Sequence, residues 1–269
     1  MPELPEVETI KRDLEKVVVG KKINEVFVHN PKVIREPSLK RFKQGLSGVR
    51  INRVLRRAKV LILELSNAKS LVIHLKMTGQ LIYPGIMGDG AKVTFCLSNG
   101  ENLNFNDQRL FAEIRLLNDW RKLKFIQSLG PEPKDLNLRQ FQDMLSNRQT
   151  KIKPLLMDQK FISGIGNIYA AEILFRAKIN PLRKASELAN KEKELLFNSL
   201  QYVLDEAIRC GGSSVDDYVR LSGEKGGYKK HHRVYARENK PCFICKTLIK
   251  RTILGGRGTY FCPKCQKLK

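Results

Sequence analysis

Cys242-Phe243-Ile244-Cys245, followed sixteen residues later by Cys262-Pro263-Lys264-Cys265, is the stretch from which this chain's organisation is most directly read. Two C-x-x-C pairs at this separation give four thiolates on two facing turns of a β-hairpin, enough to close a tetrahedral zinc site. Four protein ligands leave no place for water. The expectation is therefore one structural Zn2+, supplying folding energy to a segment too short to have its own core. Between the pairs, Lys250 to Thr259 reads as a basic hairpin whose glycines let its tip approach another backbone, with Arg257 projecting toward phosphate. A plain solvated turn also fits those residues. The remaining cysteines, Cys96 in a strand-like stretch and Cys210 ending a helix-like one, read as packed small apolar residues. With no secretory signal, metal binding is favoured over a disulfide framework.

Working outward, the 269 residues suit two modest domains better than one. Lys and Arg total 50 against 27 Asp and Glu, a formal net charge of +23 spread along the chain. Such a surface favours a polyanion, because each phosphate neutralised releases counterions. A merely soluble, supercharged surface is the alternative. No apolar run approaches the length of a membrane span, and no basic amphipathic helix with an aromatic edge offers itself to a lipid surface. The acidic N-terminus lacks a basic-then-apolar leader, so a cytoplasmic protein is expected.

Val7, Ile10, Leu14 and Val17 stand at helical spacing, with Pro5 suited to a first turn and Gly20 to a stop. From about Ile23 to Leu117 the pattern becomes short runs, 23–28, 60–65, 71–75, 93–97 and 114–117, separated by turn signals such as Ser98-Asn99-Gly100. That predicts a β-sandwich or barrel-like domain. Gly130-Pro131-Glu132-Pro133 breaks regular structure, and helices are expected from roughly Leu138 to Cys210. A Gly/Ser-rich loop, a basic stretch and the cysteine pairs follow.

The reaction class must be read at the N-terminus. A small second residue such as Pro2 permits removal of Met1, which exposes a secondary amine. Such an amine is partly unprotonated near neutral pH, and its attack on a sugar C1′ gives an iminium ion directly. Glu3 and Glu6 lie in the same first turns, close enough to handle protons. Taken alone, they equally suit ordinary first-turn carboxylates favoured by the helix dipole.

Pro2-Glu3-Leu4-Pro5-Glu6-Val7-Glu8-Thr9 resembles the opening of formamidopyrimidine-DNA glycosylases, bacterial-type enzymes that excise 8-oxoguanine and ring-opened purines. Further similar stretches follow in order: Arg56-Arg57-Ala58-Lys59, His74-Leu75-Lys76-Met77-Thr78-Gly79, Leu129-Gly130-Pro131-Glu132-Pro133, Ile152-Lys153-Pro154-Leu155-Leu156, Gly164-Ile165-Gly166-Asn167-Ile168-Tyr169 and the zinc hairpin. The resemblance implies an α+β chain with a β-sandwich and N-terminal helix over 1–130, a helix–two-turn–helix domain with a lesion-reading loop over 131–234, and a zinc ribbon over 235–269. DNA would cross between the two halves.

It further implies Pro2 as nucleophile, Glu3 as proton donor and acceptor, Glu6 as a second carboxylate near the sugar, and Lys59 and Arg257 as aids to β- and δ-elimination. Read alone, Lys59 would be an exposed strand-end lysine. Extruding a base leaves a void. Met77, Arg109 and Phe111 resemble the family's trio that fills it: an apolar wedge, a donor to the orphaned cytosine, and a stacking plate. By themselves Met77 and Phe111 would be assigned to the core. In the Gly164–Asn167 turn, glycines bare backbone N–H groups and Asn167 is expected to cap the next helix, whose N-terminus favours phosphate. Lys153 is expected to join that grip, His74 and Tyr235 to make other backbone contacts, and Ser213–Tyr228 to form a flexible lid over the flipped base.

Two departures stand out. Gly88-Asp89-Gly90-Ala91-Lys92 replaces the family's usual Lys-His-Asp-His, and Asp107-Gln108-Arg109-Leu110-Phe111-Ala112 replaces Asp-Pro-Arg-Arg-Phe-Gly. The partner implied is damaged double-stranded DNA, met by a monomer associated with the bacterial nucleoid. The competing readings are an endonuclease VIII-like enzyme for oxidised pyrimidines, whose members tend to begin Pro-Glu-Gly-Pro-Glu, and a non-catalytic lesion binder.

Overall fold

A computed structural model describes residues 1–268. The chain divides into two compact units, residues 1–127 with 210–229, and residues 128–209 with 230–269. The Gly/Ser-rich segment after Cys210 thus packs with the first unit, whereas the sequence reading carried it with the helices up to residue 234.

The first unit opens with α1 (Leu4–Val18), whose Val7, Ile10, Leu14 and Val18 are buried while Lys11, Arg12 and Glu15 line the outer side. The helix stops before Gly20, which turns at φ +84° and donates its N–H to Ile51. Nine strands follow: β1 (Lys22–Val28), β2 (Ile34–Glu36), β3 (Val49–Arg57), β4 (Val60–Leu65), β5 (Ser70–His74), β6 (Gly79–Ile82), β7 (Val93–Leu97), β8 (Asn102–Asp107) and β9 (Glu113–Leu117). A helix α2 (Leu39–Leu46) lies between β2 and β3, and a short α3 (Lys124–Gln127) closes the segment. The strand order is β2-β9-β5-β4-β3-β1-β7-β8-β6.

Only two residue pairs, Lys22 with Arg50 and Ile23 with Val49, join β1 to β3. That narrow hinge lets both halves of the sheet share one core: Val26, Phe95 and Phe105 from one half, Leu61, Leu63, Ile73 and Ile114 from the other, and the apolar face of α1. Burial of this scale dominates the unit's stability, at about 25 cal/mol per Å2 of apolar surface. The expected strands therefore stand where the sequence placed them. Strands β2, β3, β6 and β8 and helices α2 and α3 are additions. In β3 a register shift between Ile51 and Arg53 keeps both Ile51 and Val54 buried, which breaks the simple alternation.

The second unit holds α4 (Leu138–Leu145), α5 (Ile152–Met157), α6 (Asn167–Arg176), α7 (Asn190–Arg209) and the hairpin β10 (Lys250–Leu254)–β11 (Arg257–Phe261). Helix α6 is buried on nearly every side, from Ile168 to Phe175, and α7 lays Leu196, Leu200, Val203 and Leu204 inward. Between α5 and α6 the chain makes two turns organised by Gln159. Its amide donates to Met157 and Ile165 carbonyls and its oxygen accepts from the Gly164 N–H. The 130–131 segment runs against these turns, Gly130 donating to Gln159 and Ser163 donating to Pro131.

No helix among the described residues is long and apolar enough to cross a membrane. A β-carbon on Gly130 would lie 2.5 and 2.6 Å from the carbonyl oxygens of Lys160 and Phe161, backbone atoms that cannot swing aside. Gly130→Ala is expected to destabilise the second unit by about 2–3 kcal/mol, read as a lowered midpoint in urea unfolding; an unchanged midpoint would contradict this packing.

Candidate active site and nucleic-acid interface

The first unit gathers its carboxylates at the chain's start. Pro2 is buried, as are Glu3 and Glu6, which are 3% and 1% exposed. One oxygen of Glu6 accepts the Glu3 N–H at 2.8 Å, and the other accepts the Ser213 N–H at 2.7 Å. Glu6 thereby fixes the N-terminus to the segment after α7. Gly212, at φ +79°, has room there only because it lacks a side chain: a β-carbon would sit 3.0 Å from the Glu6 carboxylate.

Lys59 occupies the two-residue loop joining β3 to β4 and is 7% exposed, not the open strand-end lysine its sequence context allowed. Ala58 before it adopts φ +51°. Arg56 holds this loop in place, its Nη1 donating to the Ala58 carbonyl at 2.9 Å and its Nε to Glu8 on α1 at 2.8 Å. The turn bearing Lys59 is thus tied to the helix that begins beside Pro2. Burial pushes the Glu8 carboxyl up, but hydrogen bonds and charge from Arg56 and Arg12 outweigh it and hold the group below its ordinary range.

Met77 and Phe111 are exposed, at 39% and 50%, against the core assignment that their residue types alone would give. Arg109 is exposed as well, and its guanidinium carbon lies 4.7 Å from the Phe111 ring centre. His74 behaves differently. Its Nδ1 accepts the Lys76 N–H at 3.1 Å, which leaves Nε2 to carry the proton. Burial, with the positive charges of Lys76 and Lys59, pushes its pKa down to about 3, against a weaker opposing pull from Glu113. It is therefore a neutral donor at physiological pH.

The expected lid, 213–228, is anchored. Tyr218 and Leu221 belong to the core, the Ser214 hydroxyl donates to the Tyr218 carbonyl and accepts the Gly226 N–H, and Arg220 pairs with Asp13 of α1. Burial, with the negative charge of Glu6, raises the Tyr218 hydroxyl well above its ordinary pKa.

In the second unit, Asn167 does not cap α6. Gly166 holds the cap position, and Asn167, one residue inside, accepts from Lys153 Nζ at 2.6 Å and donates to the Gly258 carbonyl at 3.1 Å. The extended Gly166 ends the turn one residue earlier, which leaves the Asn167 amide to the hairpin. Lys153 itself is 1% exposed, buried beneath that contact. Arg257 is exposed beside the turn Gly255-Gly256, whose φ values of +57° and +70° are those of a tight hairpin that only glycine enters cheaply. Tyr235 packs edge-on against Tyr260, and its N–H, with those of Arg233 and Val234, binds the buried carboxylate of Glu172 on α6. Burial raises that carboxyl against the pull of its three donors.

The four cysteines converge. The Sγ atoms of Cys242, Cys245, Cys262 and Cys265 all lie within 4.8 Å of one another, with pairs at 3.9 and 3.4 Å. Tetrahedral zinc with Zn–S bonds near 2.3 Å places its sulfurs about 3.8 Å apart. The donor set therefore fits zinc, and one structural zinc is assigned here. Cys96, by contrast, is only partly buried, its thiol raised by desolvation and by Glu25.

The chain matches the formamidopyrimidine-DNA glycosylase N-terminal domain over residues 1–114, the H2TH domain of the same enzymes over 129–219, and the zinc finger found in FPG and IleRS over 239–268. A formamidopyrimidine-DNA glycosylase from Pelotomaculum thermopropionicum is 44% identical, with 100% of each chain covered. This chain belongs to the formamidopyrimidine-DNA glycosylase family. The Thermus thermophilus MutM (FPG) crystal structure superposes with a TM-score of 0.88 at 36% identity, covering 100% of both chains. A Lactococcus lactis Fpg in complex with FAPY-dG-containing DNA gives 0.89 at 33% identity, covering 99% of this chain and 100% of that one. Another, with abasic-site DNA, gives 0.90 at the same identity and coverage.

For this family member, sequence reasoning missed the residues that support the site: Glu8, Arg56, Asp107, Gln159 and Glu172. Glu172 had a signal, a charged residue within the apolar run Ile168–Phe175; the others had none of that kind.

Two outcomes follow from these geometries. Stripping zinc with a chelator should unfold residues 239–268 and abolish DNA binding while α1 and the large sheet persist, as read by amide exchange; an unperturbed hairpin would refute a structural metal. His74 binds no proton in the folded protein until pH nears 3, whereas the unfolded chain protonates from about 6.5. Stability is therefore undiminished above pH 6.5 and is lost as pH falls toward 3. His74→Asn, which keeps an acceptor for the Lys76 N–H, should be spared about 3 kcal/mol of that loss by pH 4, measured by urea unfolding at both pH values.

Proposed function

We propose that this chain is a bifunctional DNA glycosylase and AP lyase that excises 8-oxoguanine and formamidopyrimidines from duplex DNA through an iminium intermediate on Pro2. The observation that carries this is the buried assembly of Pro2, Glu3 and Glu6 at the N-terminus, in a family member whose relatives include a structure holding FAPY-dG DNA. A charge of +23 supports the choice of substrate, and a monomer working on the bacterial nucleoid fits it.

Once Met1 is removed, the Pro2 nitrogen attacks C1′ of the flipped nucleotide, the N-glycosidic bond breaks, and the base leaves with a proton supplied by Glu3. Sugar ring opening completes the Pro2 iminium. Loss of a C2′ proton then expels the 3′ phosphate, and loss of a C4′ proton expels the 5′ phosphate, before water releases the sugar remnant and restores the amine. Glu6 spends both oxygens on backbone N–H groups, which supports an orienting role and leaves proton transfer to Glu3. The buried Lys59 and the exposed Arg257 are assigned to the two eliminations. Met77, Arg109 and Phe111 fill the void, while His74, Lys153, Asn167 and Tyr235 are assigned to gripping or positioning the phosphate backbone. Lys153 acts through Asn167, since it is itself buried.

Borohydride reduction in the presence of a duplex carrying 8-oxoguanine opposite cytosine should trap a covalent adduct mapping to Pro2, with β,δ-cleavage of the strand. Pro2→Gly, which keeps a primary amine, should trap about tenfold less or worse. Absence of an adduct from protein lacking Met1, despite tight lesion binding, would overturn the reading and favour a pyrimidine-lesion enzyme or an inactive binder.

A further inference from the structure

The three side chains assigned to the void stand on two separate loops, 75–79 and 107–112, and one buried carboxylate belongs to both. Asp107 ends β8 and is 1% exposed. Its Oδ1 accepts the hydroxyl of Thr78, which directly follows Met77, and also the N–H of Arg109 at 3.3 Å. Its Oδ2 accepts the N–H of Ala112, which directly follows Phe111, at 2.8 Å. Thr78 closes the circuit, its Oγ1 accepting the Arg109 N–H at 3.2 Å. Thr78 and Ala112 are both buried, so these bonds form away from competing water.

Each loop also has reasons to be stiff. Gly79 donates to the Leu75 carbonyl, and a β-carbon there would lie 2.5 Å from that same oxygen, so the turn carrying Met77 is tightly wound. Lys76 pairs with Glu113 at 3.3 Å, while Leu110, between Arg109 and Phe111, adopts φ +56°. Thr78 also links the loops directly through the Arg109 N–H, but among the described residues Asp107 alone binds Thr78, Arg109 and Ala112 together, so both ends of the 109–112 turn and the wedge loop meet on one carboxylate.

We propose that Asp107 is a positioning residue that locks Met77 to Arg109 and Phe111, so that wedging and opposite-base reading act as one unit. The inference rests on the void-filling roles given above. Asp107 touches no reacting atom; its effect travels through Thr78 and Ala112. A rigid pair of loops offers the orphaned base a fixed donor, and discrimination against a wrong base depends on that fixity. If the loops move independently, Arg109 follows whichever base is present, and affinity falls less than selectivity does.

The test compares affinity for duplexes holding a tetrahydrofuran abasic analogue opposite cytosine and opposite adenine. Asp107→Asn keeps size but presents an N–H2 to one of its donors, and Thr78→Val removes the linking hydroxyl with little change in volume. Each should cut the cytosine-to-adenine preference about tenfold. Met77→Ala should cost clearly less in the Asp107→Asn background than in wild type, the mark of coupled residues. Thermal melts of both variants separate this from unfolding, since Thr78→Val preserves the buried carboxylate's backbone bonds. A wild-type preference retained by both variants, or strictly additive effects with Met77→Ala, overturns the coupling. A wild-type protein with no opposite-base preference, yet with the Pro2 adduct intact, overturns the void-filling roles beneath it and leaves the proposed chemistry standing.

Discussion

Buried carboxylates that accept backbone N–H groups hold this molecule's working parts in place. Glu6 joins the N-terminus to Ser213, Asp107 joins the loops at 75–79 and 107–112, and Glu172 receives three consecutive N–H groups at 233–235. The groups proposed to meet a ligand sit largely on turns, and a turn has too little apolar area to fix its own shape. A carboxylate has several acceptor positions in one rigid plane and binds N–H donors more strongly than a neutral oxygen does. Buried beneath a loop, it sets that loop's geometry from below. Such anchors are costly if left incomplete, so loop and anchor form together or not at all.

The same use of acidic residues shapes the outer field. Of the chain's 27 acidic side chains, several that carry structure are turned inward or paired: Glu3, Glu6, Asp107, Glu132 and Glu172 are buried, Glu8 binds Arg56, and Glu113 binds Arg115 and Lys76. Burial does not remove their charge, and their ion-pair partners are basic, but the excess of 50 lysines and arginines over 27 acids still leaves a positive field where a polyanion approaches. Structural need thus takes up acidic side chains without reversing the electrostatic attraction that the composition implies.

The sequence reading found what periodicity and ligand spacing encode. Helix α1, strands β1, β4, β5, β7 and β9 and the cysteine cluster stand where apolar spacing and the C-x-x-C pairs put them. It missed the short β2 and β6, β3, where four arginines and a bulge hide the alternation, and β8, where Asn102, Asn104 and Asn106 replace the expected β-branched residues. The candidate site was legible as a set of motifs but not as a set of supports. Its bonds to Arg109 and Ala112 are local, but nothing local marks Asp107 as a link between loops, because Thr78 lies 29 residues away and no spacing rule covers that distance. Asn167 was misplaced for a related reason. Its type suits a helix cap, but a carbonyl 91 residues away claims its amide instead.

One pattern joins local strain to these supports. Ala58 precedes Lys59, Lys76 precedes Met77, and Leu110 lies between Arg109 and Phe111, and all three adopt left-handed φ values of +51°, +51° and +56°. For residues with a β-carbon this costs roughly 1–2 kcal/mol each, which glycine would avoid. Glycine, however, would leave each turn many conformations when no ligand is bound, and fixing it would then weaken binding. The strain is sustained because neighbouring bonds over-determine each turn: Arg56 on the Ala58 carbonyl, His74 on the Lys76 N–H, and Asp107 on both sides of Leu110. The side chains proposed to act at fixed positions thus sit beside residues in a costly conformation, and the buried polar anchors are what make that arrangement stable.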